Sequence, residues 1–242
     1  MSQESPPQLP PPVTSLMSRT IDRLRRLKVQ PDPIVPIRYR QSYGVLTSAV
    51  RSDGQLLEMA IYEALRAMPH LTVIRTPPVF IPAVVDQIIS SSMSDEALRQ
   101  SSFHYERGNG RRIAPDLVLI DANRQAIDFL ELKRGLAKTD SGKTRQTIRD
   151  LRCLRLMGRR FAHAEFGVDV TVVTAAVCPI HGVTAVPVDL QVGMSELENR
   201  YGADLSTAVS AAYTEFGRQL EELLSQPVFE QPAERSQQLP PG

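Results

Sequence analysis

Residues 115–133 read PDLVLIDANRQAIDFLELK: two aliphatic runs separated by the turn-like DANRQA, with charge at their outer ends. No other stretch restricts the fold as much. Short apolar runs on either side of a turn predict an antiparallel hairpin, with strands at about 113–120 and 127–133. Side chains alternate faces along a strand. Asp116, Val118 and Ile120 therefore share a face of the first strand, and Ile127, Phe129, Glu131 and Lys133 a face of the second. Pairing Ile120 with Ile127 sets Val118 opposite Phe129 and Asp116 opposite Glu131. A slip of one residue would set Asp116 against Leu130 and send Glu131 to the other side. The first register joins apolar to apolar and gathers two carboxylates and a lysine at one end.

Charge in that position needs a reason, because a buried ion without a partner is costly. Carboxylates held close together repel unless a cation sits between them, and hard oxygen ligands of this kind suit Mg²⁺ or Mn²⁺. A lysine beside such an ion can orient a water, help deprotonate it and offset charge on a phosphate. Phosphodiester hydrolysis needs that set of parts. The competing outcome is a surface hairpin that carries Glu131 and Lys133 as an exposed ion pair, which contributes little to stability.

Pro115-Asp116, fourteen residues, and then Glu131-Leu132-Lys133 resemble the signature of the PD-(D/E)xK nuclease superfamily, the restriction-endonuclease-like proteins. The resemblance implies that Asp116 and Glu131 bind the metal, helped by the backbone carbonyl of Leu132, and that Lys133 positions the water. It also implies a glutamate on the helix before the sheet and a glutamine on the helix after it. Glu58, beside the apolar stripe Leu57, Ile61 and Leu65, matches the first; Gln146 fits the second. The implied fold is α/β, an αβββαβ core with a central mixed sheet flanked by helices, over roughly residues 52–178. The expected elements follow that order: a helix over 53–68 capped by Ser52 or Asp53, edge strands in HLTVIRTP and VFIPAVV, the hairpin, a helix over 143–161 and a strand over 168–177.

Residues 133–160 hold ten Lys or Arg against Asp140 and Asp150, a local charge of +8 in a chain whose net charge is +1. Arg145, Arg149, Arg152 and Arg159 recur at helical spacing on one side, while Ile148, Leu151, Leu154 and Met157 line another. A solvated face would mix signs. A stripe of one sign beside two carboxylates reads as a track for a phosphate backbone. Lys143 and, from ERGNGRR upstream, Arg112 are further candidates for nucleic-acid contact, and DNA is the expected partner.

Proline marks the ends of the chain: eight of the 19 fall within residues 1–36 and four within 227–242. Residues 1–14 are expected to form a disordered arm, 15–51 a basic helix and linker, 52–226 the nuclease-like domain and 227–242 a disordered tail. In SLMSRTIDRLRRLK, Leu16, Met17, Ile21, Leu24 and Leu27 predict a helix, either packed by its leucines or laid as a basic arm on nucleic acid. A last helix is expected over 204–224; residues 86–112 carry no clear pattern. Cys153 and Cys178 have no metal-ligand spacing, which predicts reduced thiols. No apolar run reaches the length of a membrane span and the N-terminus lacks a signal peptide's pattern, so a cytoplasmic protein is expected.

These features predict a Mg²⁺- or Mn²⁺-dependent deoxyribonuclease, an endonuclease cutting by one-step attack of a metal-activated water. The alternative is a non-catalytic nucleic-acid-binding or protein-interaction module on the same fold. The terminal arms and the stripe of the last helix leave room for a homodimer or a larger nucleoprotein assembly.

Overall fold

In the computed structural model, which describes residues 9–30, 32–90, 103–134 and 140–226, two adjacent strands are joined by a short turn as the apolar runs require. β4 (Leu117–Asp121) and β5 (Ala126–Lys133) pair antiparallel with Val118 opposite Phe129 and Ile120 opposite Ile127. That is the register that keeps the aliphatic faces together. β1 (Leu71–Arg75) lies antiparallel on the far side of β4, and β6 (Val172–Pro179) runs parallel to β5. The result is a mixed four-stranded sheet in the order β1-β4-β5-β6.

One expected strand is two. Pro115 has no N–H to give a ladder, and the run around 113–120 breaks there. β3 (Arg111–Ile113) pairs with β2 (Val79–Ile81) in a separate ribbon, while β4 joins the main sheet. VFIPAVV, expected as strand, is strand only over β2; helix α3 (Ala83–Ser90) takes its last three residues and runs into the stretch whose pattern was unclear. Gly110 ends the approach to β3 at φ +104°; a Cβ there would stand 2.1 Å from the Ile81 carbonyl oxygen.

The parallel crossover from β5 to β6 is made by α4 (Ser141–Phe166). Its start is set by Asp140, whose carboxylate accepts from the backbone N–H groups of Gly142 and Lys143 at 2.8 and 3.3 Å. Its end is set by Gly167 in the left-handed conformation, φ 65°, where a side chain would be strained. Leu151, Leu154, Met157 and Phe161 of α4 pack on Val118, Ile120, Ile127, Phe129, Ala175 and Val177. Phe161 stands 5.7 Å from the Phe129 ring and 5.5 Å from Tyr105. Burying each of these aromatics contributes about 1.5–3 kcal/mol. Helix and sheet meet closely at Gly158, where a Cβ would lie 2.4 Å from Val173 Cγ1 and 2.9 Å from Phe129 Cε2.

The other face of β5 carries Asp128, 1 % exposed, and it is answered by α5 (Met194–Tyr201). The Tyr201 hydroxyl and Arg200 Nη1, the latter at 3.0 Å, both donate to Asp128 Oδ2. A mixed central sheet with helices on its faces is thus the architecture, in the αβββαβ order expected, with the β2–α3–β3 segment inserted after β1.

By its contacts the chain divides into two compact units, an α/β unit over Ile61–Ser206 and a helical unit formed by Met1–Ala60 and Thr207–Gly242. This differs from the expected boundary at residue 52, which falls inside α2 (Arg40–Arg66). Ser52 and Asp53, expected as caps, sit buried in mid-helix. Ser52 Oγ accepts from Arg23 at 2.5 Å and donates to the Ser48 carbonyl, and Asp53 Oδ2 accepts from the Tyr213 hydroxyl at 3.2 Å. In the helical unit α1 (Pro11–Arg25) starts inside the expected arm, because Pro11 suits a first helical turn. Met17, Ile21 and Leu24 pack with Val45, Ala49 and Leu56 of α2 and with Phe216 and Leu223 of α6 (Leu205–Leu224). Of the two roles open to this helix, packing by its leucines is in place. The arm over residues 1–8 and the tail over 227–242 lie outside the described residues.

Candidate active site

The β4–β5 ladder ends with Leu117 opposite Leu130. One step further, Asp116 and Glu131 flank the open end of the hairpin, half-buried, with Lys133 two residues on along the same strand face. Asp116 Oδ2 accepts from the backbone N–H of Leu132 at 2.7 Å. A carboxylate from one strand is thereby tied to the peptide that follows Glu131 on the next. Lys133 Nζ donates to Glu131 Oε1. Their side chains are 38 % and 27 % exposed, so this pair is neither in the core nor fully in water.

Two neighbouring strands reach the same end of the sheet. Thr76, just past β1, donates its N–H to the Asp116 carbonyl at 3.0 Å. It does so at φ 45° although it is β-branched and precedes Pro77, both of which disfavour that conformation. Strain of this kind persists where the surroundings over-determine it. On the other side, Ile180 and His181 donate to the carbonyls of Lys133 and Arg134 at 2.8 and 3.0 Å, extending the β5–β6 pairing beyond the strand ends.

The direction of α4 follows from its contacts. Arg155 Nε donates to the Ala175 carbonyl at 3.2 Å and, one turn later, Arg159 Nη2 to that of Thr171 at 2.6 Å. The helix therefore runs opposite to β6, and its first turns extend toward the end of the sheet that bears Asp116, Glu131 and Lys133. Gln146 lies in those turns, exposed, with its amide on Asp150 Oδ1 at 2.8 Å. Glu58, half-buried on α2, belongs to the helical unit and is not among the residues that the α/β unit itself brings to this end.

Carboxylates from Asp116 and Glu131 and the carbonyl of Leu132 are hard oxygen donors, a set that fits Mg²⁺ or Mn²⁺. No group of three or more His, Cys, Asp or Glu placed to hold a metal occurs among the described residues. The protein's own share of such a site is two carboxylates and a carbonyl, which would leave further positions to water and phosphate oxygens.

The arginine stripe divides. Arg149 Nε pairs with Asp86 Oδ1 at 3.1 Å while its side chain stays 41 % exposed. Asp86 also takes a fork from Arg111, at 2.8 and 2.9 Å, and Arg111 reaches Asp150 at 2.7 Å. The hydrogen bond from Arg111, against the pull of burial, holds the Asp86 carboxyl below its ordinary range. This network ties α3, β3 and α4 together. It escaped the sequence reading because Asp86 lies 25 and 63 residues from its two arginines. Arg155 and Arg159 are engaged with backbone carbonyls. Lys143, Arg145 and Arg152 on α4, and Arg112 on β3, are exposed and make no ion pair among the described residues.

No protein-family model matches the chain, and no curated protein matches it. Among solved structures, an N-terminal domain of a reptarenavirus L protein aligns over 91% of this chain and 91% of its own, at 13% identity and a TM-score of 0.25. A likeness of that depth carries no argument about this chain.

Proposed function

We propose that the protein is a metal-dependent nuclease of the PD-(D/E)xK type that hydrolyses phosphodiester bonds of DNA in the cytoplasm. The observation that carries the reading is the convergence of Asp116 and Glu131 at one end of the β4–β5 hairpin, with Asp116 tied to the Leu132 N–H and Lys133 beside Glu131. In this reading Asp116, Glu131 and the Leu132 carbonyl hold Mg²⁺ or Mn²⁺. When bound, such an ion acidifies a water and takes up charge developing on the phosphate.

The chain's own groups divide the remaining work. The Leu132 N–H fixes one oxygen of Asp116, so that carboxylate meets the cation already oriented. Lys133 rests on Glu131 and offsets its charge until a cation does so. Its ammonium then serves to orient the attacking water and to donate to a phosphate oxygen. Gln146 is proposed to help position that water. Exposed Lys143, Arg145, Arg152 and Arg112 are proposed to hold the DNA backbone.

Incubating purified protein with circular and linear DNA, with and without Mg²⁺ or Mn²⁺, tests the reading. Cleavage that needs the ion is expected. Absence of cleavage across both ions and both substrates would leave the hairpin end as a surface ion pair.

A further inference from the structure

The helical unit holds a second concentration of positive charge. Residues 9–52 contain eight Arg or Lys and two acids, Asp22 and Asp32. Both acids are locally engaged. Asp22 pairs with Arg25 at 3.0 Å, and Asp32 Oδ1 accepts from the Ile34 N–H at 3.0 Å. Arg19, Arg23 and Arg26 follow one another at four and three residues and so form one stripe along α1. The opposite stripe, Met17, Ile21 and Leu24, is buried, so the core fixes which way the arginines face. All three are exposed, and with Asp22, Leu27 and Lys28 they line a cleft of about 500 Å³. Arg23 is held in place by the buried Ser52 hydroxyl, which neutralises none of its charge.

Cations in the last turn of a helix complement its dipole, and that accounts for Arg23 and Arg25. It does not account for Arg19 a turn earlier or for Lys28 beyond the end. Three guanidinium forks and one ammonium around a cleft, against a single acid already paired, match oxygens of a polyphosphate chain. From Arg19 to Arg26 the helix rises about 10 Å, roughly three nucleotide steps.

We infer that the α1 cleft binds the phosphate backbone of nucleic acid, a contact surface additional to the α4 cations. The inference rests on the nuclease reading for the identity of the polyanion. Contacts of this kind fix position without reading sequence, so the helical unit adds affinity and no base preference.

The test uses the full chain in EDTA, binding labelled duplexes of about 30 base pairs and three unrelated sequences at roughly 50 to 200 mM salt. The variant Arg19→Gln/Arg26→Gln leaves Arg23 and its Ser52 bond in place. The slope of log affinity against log salt should fall by about two, with binding at low salt roughly tenfold weaker or more on all three duplexes. Arg19→Lys/Arg26→Lys, which keeps the charge, should retain most of the slope, and serves if the glutamine pair fails to fold. An unchanged slope, or a loss confined to one sequence, overturns the inference. Equal weakening toward poly-glutamate assigns the cleft to an acidic protein surface and also overturns it. Cleavage plays no part in these measurements. A wild type that does not cut yet loses slope in the variant refutes the nuclease alone; one that cuts with an unchanged slope refutes this site alone.

Discussion

The β4–β5 hairpin carries acids toward both of its ends, and the two ends handle them by different means. Toward the turn, Asp128 is 1 % exposed and Asp121 2 % exposed. Asp128 is met by Tyr201 and Arg200 from α5, and Asp121 Oδ1 by the Arg124 N–H at 3.1 Å. At the open end, Asp116 and Glu131 keep contact with solvent; Asp116 accepts from the Leu132 N–H and Glu131 from Lys133 Nζ. A buried acid surrounded by fixed donors is a structural device. An acid left half in water beside a long, flexible cation can exchange that cation for another. Under the proposed function, the two ends would separate stability from chemistry within a single supersecondary unit.

The sharpest way to break this comparison is to remove acids from each end in turn. Asp116→Ala and Glu131→Ala should each lower Mg²⁺-dependent cleavage by about a thousandfold or more, roughly 4 kcal/mol at 1.36 kcal/mol per tenfold. Urea midpoints should stay near the wild-type value, because relieved repulsion offsets lost contacts. Wild-type cleavage rates in both variants would remove the metal role from this end. Lys133→Ala should likewise lose cleavage while calorimetric titration still finds the metal, since its role is at the water and phosphate. Retained cleavage would reduce Lys133 to a counter-ion.

Asp128→Ala should do the reverse. It leaves the Tyr201 hydroxyl without this acceptor and Arg200 with Glu196 alone, and breaking a buried pair costs about 3–5 kcal/mol. The loss is expected in the urea midpoint, with the metal affinity of surviving folded protein unaltered. A smaller effect is expected where α4 touches the sheet. Gly158→Ala forces Val173 and Phe129 apart, and overpacking of this kind costs about 1–3 kcal/mol. An unchanged midpoint would mean that the helix shifts without strain.

The smallest expected effect is in pH dependence. Asp86 has its folded pKa below the ordinary 3.8, chiefly through the Arg111 hydrogen bond. In acid the unfolded chain binds its proton first, so the stabilisation from Asp86 is present above about pH 4 and is lost as pH falls through the folded pKa. Asp86→Asn should therefore flatten stability against pH below that value. The opposite sign applies to Tyr105, which burial first and Glu165 second push up to about 12. Its contribution holds below its ordinary pKa of 10 and fades as pH rises toward 12. Urea midpoints from pH 2 to 5 and from 9 to 12 check both; parallel profiles for variant and wild type would contradict the first.

Local pattern carried much of this into the sequence. The register of the hairpin follows from face alternation over a few residues, and Asp116, Glu131 and Lys133 could be placed together without knowing anything else. The helix over α4 and the strand of β6 follow from periodicity in the same way. What pattern could not reach is pairing at long separation. Ser52 and Asp53 read as caps because short polar side chains favour helix ends, yet Arg23 and Tyr213, 29 and 160 residues away, satisfy them in mid-helix. The pairing of Arg149 with Asp86 was likewise out of reach, because Asp86 lies outside the helix. Asp128 is polar in a strand core for a reason supplied by α5, a helix of 8 residues that is too short to announce itself. Break points were also underestimated: Pro115 splits one apolar run between two sheets.

Both thiols of the chain, Cys153 and Cys178, are fully buried in the α/β unit, and burial pushes each up to about 12. The helical unit has none. A maleimide or disulfide reagent added under native conditions can therefore react only when the α/β unit opens, and its rate is a clock for that opening alone. Circular dichroism, weighted by helix, reports on both units at once. Read together in rising urea, the clock and the helical signal say whether the two units melt as one. If labelling accelerates before helix is lost, the α/β unit is the less stable half; if the two coincide, the units unfold as a single cooperative body.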